Sequence, residues 1–154
     1  MKKLILIASS LCMINTARAQ DLKVTEVPDL VKQSFSKVYP NIKVDAWEKE
    51  AANYEAEFHL NNVESSALFS EQGNFIELEQ EIVLTDLPKA AIDYCHLNYK
   101  DYKLNEAAII KDVYKRATYE VELKKGKEKF DLLFDEQGNF VKKEEVEISI
   151  NKKH

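Results

Sequence analysis

The hydrophobic residues of this chain change their period along the sequence. Over 27–39 they recur every three or four positions and form one helical stripe: Val27, Leu30, Val31, Phe35, Val38 and Tyr39. Pro28 suits the first helical turn, where its missing N–H is no loss, and Thr25 is a candidate cap. Pro40 ends the segment. We therefore predict a helix that buries this stripe.

A period of two follows the helix and indicates β-strands. Apolar and polar residues alternate over 42–47 and again over 54–60, where the polar set is Glu55, Glu57 and His59. Two further strands are predicted over 65–69 and 74–83, the last one less regular and compatible with a bulge. Strands with this pattern bury one face and leave the other in water.

The same order of features occurs a second time. Three segments recur: 25–28 as 85–88, 54–58 as 119–123, and the pentapeptide EQGNF of 71–75 as 136–140. The offset grows from sixty to sixty-five residues, which places about five extra residues between Tyr99 and Tyr119. The chain is therefore predicted to contain two copies of one unit, about 25–84 and 85–150.

The second copy has the same succession of elements. Its helical stripe directs Cys95 toward the core and consists of Leu87, Ala90, Ala91, Tyr94, Cys95 and Tyr99. Each unit is one helix followed by about four antiparallel strands. The predicted fold is α+β, a single antiparallel sheet of about eight strands with both helices on one face and the other face open to solvent.

The first nineteen residues predict a secretory signal peptide. Two lysines precede the apolar run Leu4–Ile14, which is short for a membrane span, and a small-x-small cleavage pattern ends at Ala19. We expect cleavage after Ala19 and a periplasmic or secreted mature protein, 20–154, that forms one domain. Leu11 stands where a lipoprotein signal needs a small residue, which argues against a lipid anchor on Cys12.

Loss of the signal peptide would make the chain more acidic. The full sequence has 22 basic and 27 acidic residues and a net charge of −5, and without Lys2, Lys3 and Arg18 the charge would be −8. No basic stripe is visible in the sequence. A chain of this kind is a poor ligand for nucleic acid or for an anionic membrane, so neither is expected as a partner of the mature form.

Catalytic groups are hard to assemble from these residues. Cys95 is the one cysteine after the signal, and its neighbour His96 projects about 100° away on the predicted helix. Two pairs of glutamates share a strand face: Glu55 with Glu57, and Glu120 with Glu122. General acid catalysis needs a desolvated carboxyl, and we expect these glutamates to lie in water beside lysines. No enzyme activity, catalytic residue or cofactor is therefore expected.

The repeated pentapeptide admits two interpretations. Asp135, Glu136 and Asn139 are hard oxygen ligands around a glycine, as in a calcium loop, but such a loop needs about a dozen residues and a closing glutamate. The chain returns at once to a strand in both copies. We therefore predict hairpin turns with Gly73 and Gly138 at positive φ, and no metal site.

The helix openings VP and LP, the strand YEVEL and the segment LLFDEQGNF resemble the PepSY-like, β-lactamase-inhibitor-protein-like domains of bacterial periplasmic proteins. The resemblance covers nearly the whole predicted mature chain, and the second copy fits better, because Ser70 replaces the aspartate in the first. It implies a fold and a compartment, without a general set of catalytic residues. Related domains bind other proteins through the exposed sheet face or have been proposed to restrain peptidases.

We expect a non-catalytic binding module that recognises a protein or peptide through the open sheet face, with inhibition as one form of such recognition. The candidate partner-binding residues are Trp47, Glu55, Glu57, His59, Tyr114, Glu120 and Glu122. Strand parity would make Trp47 an exposed anchor, whereas a bulge would turn it inward, and the sequence leaves both open. The alternative function is a carrier of a small ligand or a metal.

Overall fold

A computed structural model describes residues 20–145 of the chain. In this part, nine antiparallel strands form a single sheet, and two α-helices accompany it. The α+β class is therefore confirmed, and the expected eight strands become nine because Gln20–Leu22 adds a short strand at one edge. The predicted signal peptide, its cleavage site and the end of the second unit lie outside the described residues.

The strands follow one another across the sheet in chain order. The first half contains β1 (Gln20–Leu22), α1 (Asp29–Val38), β2 (Val44–Glu50), β3 (Asn53–Leu60), β4 (Val63–Phe69) and β5 (Phe75–Glu81). The second half contains a 3-10 helix (Leu84–Asp86), α2 (Lys89–Asn98), β6 (Lys103–Asp112), β7 (Ala117–Lys125), β8 (Glu128–Phe134) and β9 (Phe140–Glu145). Strands β5 and β6 pair and so join the two halves.

Each α-helix follows a proline and is followed by a tyrosine at its C-cap. Pro28 and Pro88 stand immediately before the first helical residues, and no side chain caps either helix. The expectation that Thr25 caps α1 is therefore wrong. At the other end, the backbone N–H of Tyr39 donates to the carbonyl of Phe35 over 2.8 Å, which closes the last turn.

The buried stripe of α1 is narrower than its apolar pattern. Val31 and Phe35 are buried, whereas Leu30 is 59% and Val38 44% exposed. The expectation that Leu30 and Val38 face the core is therefore wrong. A helix packed on a sheet contacts it along one narrow stripe. Val31 and Phe35, which are four residues apart, form that stripe in α1. In α2 the corresponding residues are Ala91 and Cys95, and Cys95 is fully buried, as its stripe predicted.

Two apolar clusters hold the helices to the strands. In the first, the Phe35 ring contacts Phe58 and Trp47 edge-on, with ring centroids 5.1 and 5.9 Å apart. Ala56, Ala67 and Phe69 belong to the same cluster. The second cluster surrounds Cys95 with residues of β6–β8: Ala107, Val121, Leu123, Phe130, Leu132 and Phe134. Aromatic contacts of this geometry add to the stabilisation that burial provides.

A bulge near the start of β2 decides where Trp47 points. The pairing of β2 with β3 shifts between Val44 and Ala46, so Asp45 is the extra residue. Strand parity reverses after such a residue. Trp47 is consequently 6% exposed and packs in the first cluster. Of the two orientations that the sequence leaves open for Trp47, the structure has the inward one, so Trp47 does not serve as an exposed partner-binding anchor.

The extra residues of the second half lengthen one hairpin. Strand β6 has 10 residues where β2 has 7, and the β6–β7 loop spans 113–116 where the β2–β3 loop spans 51–52. Pairing of β6 with β7 also shifts at Asn105, the counterpart of Asp45. The first bulge is therefore matched by a second one in the other half.

The two EQGNF turns pack against the helices. Gly73 and Gly138 have φ of +78° and +80°, a conformation that glycine adopts without strain. A Cβ at Gly138 would lie 2.8 Å from the Cβ of Pro88, and one at Gly73 would lie 2.8 Å from the carbonyl oxygen of Leu30. The Asp135 carboxylate accepts hydrogen bonds from the backbone of Asn139 and others in the turn. The Asp135 carboxylate therefore forms hydrogen bonds within the turn.

Replacement of these glycines tests the packing of the turns. We expect Gly138→Ala and Gly73→Ala to lower the free energy of unfolding by about 2–4 kcal/mol, from left-handed strain together with overpacking against the helix. Gly126→Ala is the matched control, because Gly126 has φ of +63° but no heavy atom lies within 4 Å of the position that its Cβ would take. It should cost only about 1 kcal/mol. Equal losses in urea denaturation would contradict the close contact.

Candidate functional site

Carboxyl side chains from six neighbouring strands line one cavity of about 530 Å³, here called the acidic cavity. Among the described residues, its lining has nine carboxyls and one cation: Glu55, Glu57, Glu64, Glu79, Glu81, Glu106, Glu120, Glu122, Asp131 and Lys129. Ser65, Ser66, Ala107 and Ala108 complete it. The cavity brings together four of the predicted site residues, the glutamates of β3 and β7.

Strand alternation positions these glutamates. Tyr54, Ala56 and Phe58 of β3 are buried in the first cluster, so Glu55 and Glu57 project from the opposite face. On β7, Val121 and Leu123 are buried in the second cluster and send Glu120 and Glu122 the other way. Ala108 of β6, directly opposite Glu120, contributes only a methyl group and leaves room above the sheet.

The part of the acidic cavity formed by β5, β7 and β8 holds its most perturbed carboxyls. Burial raises the pKa of Glu120 well above its ordinary value, and the carboxylates of Glu79 and Asp131 raise it further. Burial also raises the pKa of Glu79, with nearby Glu55 and Glu77 adding to it. The pKa of Asp131 is raised to about 6, again chiefly by burial. Glu120 therefore keeps its proton at neutral pH, whereas Asp131 is mostly ionised there.

The expectation that the glutamates lie in water is wrong for part of the set. Glu122 is 7% exposed, and Glu55 and Glu120 are half-buried, because carboxyls of adjacent strands line the same concavity and shield one another. A desolvated acid of the kind that general acid catalysis needs is thus present at Glu120. The described lining, however, offers a substrate only two hydroxyls, Ser65 and Ser66, and no aromatic surface.

One ion pair compensates charge inside the acidic cavity. The Lys129 ammonium donates to Oε2 of Glu122 over 2.7 Å, and this hydrogen bond raises the pKa of Lys129. Asn105, the bulge residue of β6, donates its amide to the other oxygen of Glu122 over 2.8 Å. Both oxygens of the buried carboxylate therefore have partners, which buried charge requires.

A second group of carboxyls lies toward β1. Asp21 is directly opposite Glu48, and Glu48 is directly opposite Glu55, so like charges face each other across three strands. Burial raises the pKa of Glu48 to about 7, followed by the effects of Glu57 and Glu55. We call Asp21, Glu48, Glu55, Glu57 and Glu64 the first-half carboxyl cluster.

The remaining predicted site residues lie elsewhere. His59 is exposed on β3, and its Nδ1 lies 2.9 Å from Oδ2 of Asp45, the bulge residue of β2. Tyr114 is 78% exposed in the β6–β7 loop, where the Arg116 guanidinium lies 5.3 Å from its ring centroid. Neither residue lines the acidic cavity. The structure therefore does not bring Tyr114 together with the glutamates.

Sequence reasoning missed Glu48 of the first-half carboxyl cluster and six residues that line the acidic cavity: Glu64, Glu79, Glu81, Glu106, Lys129 and Asp131. A signal for the β5 residues was present, since glutamates at 77, 79 and 81 alternate on one strand face. A signal for the bulges was present as well. Apolar residues three apart, Val44 with Trp47 and Leu104 with Ala107, occur at matched places and break the period of two.

Metal and thiol chemistry receive no support from the geometry. Across residues 20–145, no group of three or more His, Cys, Asp and Glu side chains is arranged to hold a metal ion, despite the density of carboxyls. Burial raises the pKa of Cys95 to about 11, so its thiol is not activated.

Across residues 20–145, neither α-helix has the length and apolar character to cross a membrane.

The raised pKa values predict how stability depends on pH. A carboxyl whose folded pKa lies above its unfolded value binds more protons when folded, so its contribution is complete below about pH 4 and is lost as pH rises through the folded pKa. We expect the free energy of unfolding to fall between about pH 5 and pH 9. Glu120→Gln should reduce this fall and stabilise the protein by about 1 kcal/mol at about pH 8.

Urea denaturation at several pH values would measure this effect. Glu71→Gln is the matched control, since Glu71 is an exposed turn residue outside the acidic cavity. The same pH profile for Glu120→Gln and Glu71→Gln would contradict the assignment of the effect to the acidic cavity.

Similar folds occur in solved structures of Bacteroides proteins. A "putative periplasmic" protein from Bacteroides eggerthii is 19% identical, with 81% of this chain and 93% of that chain covered and a TM-score of 0.68. A DUF2874-family protein from Bacteroides uniformis is 19% identical over 80% and 93%, with a TM-score of 0.67. A BLIP-like protein from Bacteroides fragilis is 21% identical over 82% and 92%, with a TM-score of 0.59. At these identities the likeness shows the fold.

No curated protein matches the chain. The family described as "Putative beta-lactamase-inhibitor-like, PepSY-like" matches it twice, over residues 12–77 and 52–142. The two matches overlap and together include both helices and eight of the nine described strands in full. The chain therefore belongs to this PepSY-like, beta-lactamase-inhibitor-like family.

Proposed function

We propose that this protein is a non-catalytic periplasmic module that binds a protein or peptide on the sheet face that carries the acidic cavity. This location of the binding surface rests on two inferences about the fold. The halves are copies of one unit, supported by their matched elements and bulges. Both helices lie on the face opposite the cavity, supported by the alternation that buries Ala56 and Val121 under them and sends Glu55 and Glu120 into a single cavity.

The extent of the acidic cavity is the observation that carries the proposal. Its lining residues come from β3 to β8, six strands in a row. Strands are spaced about 4.8 Å apart, so the lining spans about 24 Å across the sheet. A polypeptide segment can contact a surface of that width at several points, whereas a small ligand would contact only part of it. The charge favours a partner with basic groups.

The compartment and the absence of catalysis are parts of the same proposal. The predicted signal peptide and the "putative periplasmic" description of the Bacteroides eggerthii protein both support a periplasmic location. A binding role is supported by the predominance of carboxyls in the described lining, which suits contact with a basic partner. Inhibition of an enzyme would be one consequence of occupying its surface, as the family description suggests.

Capture of partners from the native cell envelope tests the proposal. The test variant carries Glu55→Gln, Glu57→Gln and Glu120→Gln, and it should lose proteins that the wild type retains after cross-linking. Glu122 is left unchanged, because its neutralisation would strand the partly buried Lys129 ammonium. The side chains exchanged are nearly isosteric, so the fold should persist.

The matched control neutralises three carboxyls outside the acidic cavity: Glu71→Gln, Asp86→Asn and Glu128→Gln. It changes the same number of carboxyls and should retain the partner. Equal retention by the test variant and the wild type would contradict the proposed surface, as would equal loss from the two variants.

A carrier of a small cationic ligand is the second candidate. The cavity volume of about 530 Å³ favours it, because small-molecule sites commonly measure about 300–1,000 Å³. Most such sites, however, are lined by apolar groups with few polar ones. Native mass spectrometry after mild purification separates the two functions, since a carrier would retain a low-mass species and the binding module would not.

A further inference from the structure

Hairpin β7–β8 contains an internal cation at a defined position. Glu122 is directly opposite Asp131, and Lys129, two residues before Asp131, lies diagonal to Glu122 on the same face. Diagonal neighbours of this kind are within reach of long side chains. From this diagonal position, the Lys129 ammonium donates a hydrogen bond to the Glu122 carboxylate over 2.7 Å.

Hairpin β3–β4 has the same register and the opposite charge at that position. Glu57 is directly opposite Ser66, and the residue two before Ser66 is Glu64, which lies diagonal to Glu57. Glu64 therefore stands where the other hairpin has its lysine. Its carboxylate contributes to raising the pKa of Glu57, after burial and the effect of Glu55.

The groups that face Glu57 are predominantly acidic. Within the described part of the chain, they are Asp21 on β1, Glu48 on β2, Glu55 and His59 on β3, and Glu64 on β4. His59 is directed to Asp45. The carboxyls that act on Glu57 and Glu48 are thus the members of the first-half carboxyl cluster, and no lysine or arginine contributes to either shift.

We propose that the first-half carboxyl cluster receives a lysine or arginine side chain from a basic segment of the partner protein, at the position that Lys129 fills for Glu122. The proposal rests on the proposed function and adds the chemistry of the partner. The pair within β7–β8 is an internal example of the contact, with an ammonium held between strands of the same register. Charge complementarity selects the occupant, because like charges in the cluster repel until a cation lies between them.

Binding of acetylated, amidated tetralysine tests this proposal directly. Calorimetry at low ionic strength and about pH 8 keeps the carboxyls ionised and the interaction unscreened. The test variant is Glu64→Lys, which gives the first hairpin the lysine of the second. We expect this internal cation to weaken tetralysine binding about tenfold or more. It should also raise the melting temperature, since a like-charge contact becomes an ion pair.

Glu71→Lys is the matched control, with the same change of net charge in an exposed turn outside the acidic cavity. It should weaken binding less than about twofold if the cluster recognises the cation. Equal weakening by the two variants would show attraction by net charge alone and overturn the proposal. A wild type that does not bind tetralysine would also overturn it.

The envelope capture experiment distinguishes this inference from the proposed function. A captured partner could be lost from the variant of Glu55, Glu57 and Glu120 and still bind Glu64→Lys at full strength. That result would support the proposed binding surface and refute the contact between the first-half carboxyl cluster and a basic side chain. Spermidine serves as a second probe. Binding of spermidine as tight as that of tetralysine would favour a small cationic ligand over a protein segment and so refute the proposed partner.

Discussion

Side chains alternate between the two faces of every strand, and this constraint fixes the neighbours of each residue once its face is known. In β3, burial of Ala56 and Phe58 leaves Glu55 and Glu57 no other direction than the acidic cavity. The same holds in β7 for Val121 and the glutamates beside it. The packing of one face and the charge of the other are therefore two results of a single pattern.

The bulges are the places where this constraint is interrupted. Asp45 turns Trp47 from the polar side to the aromatic cluster around Phe35, and Asn105 occurs at the matched place in β6. Each bulge residue then contacts a neighbouring polar group, Asp45 with His59 and Asn105 with Glu122. The bulge of β2 thus completes the core, and the bulge of β6 supplies a polar partner for a carboxylate of the acidic cavity.

The acidic cavity concentrates negative charge that other groups of the protein only partly compensate. Of the described lining, Lys129 alone brings a positive charge, and it is committed to Glu122. Some of the remaining carboxyls hold protons more tightly, as the raised pKa values of Glu79 and Glu120 indicate. Such an arrangement costs stability at neutral pH. A binding surface explains why the cost would be tolerated, because a partner's cations would relieve the repulsion that the isolated protein carries.

The sequence by itself determined the α+β class, the buried position of Cys95, the turns at Gly73 and Gly138, and the family, because periodicity and glycine chemistry are local properties. It also placed the glutamates of β3 and β7 on polar strand positions. Tertiary structure decided the rest. The exposure of Leu30, the burial of Trp47 and the meeting of Glu79 with Glu120 depend on how strands pair and where they bulge, and pairing joins residues far apart in the chain.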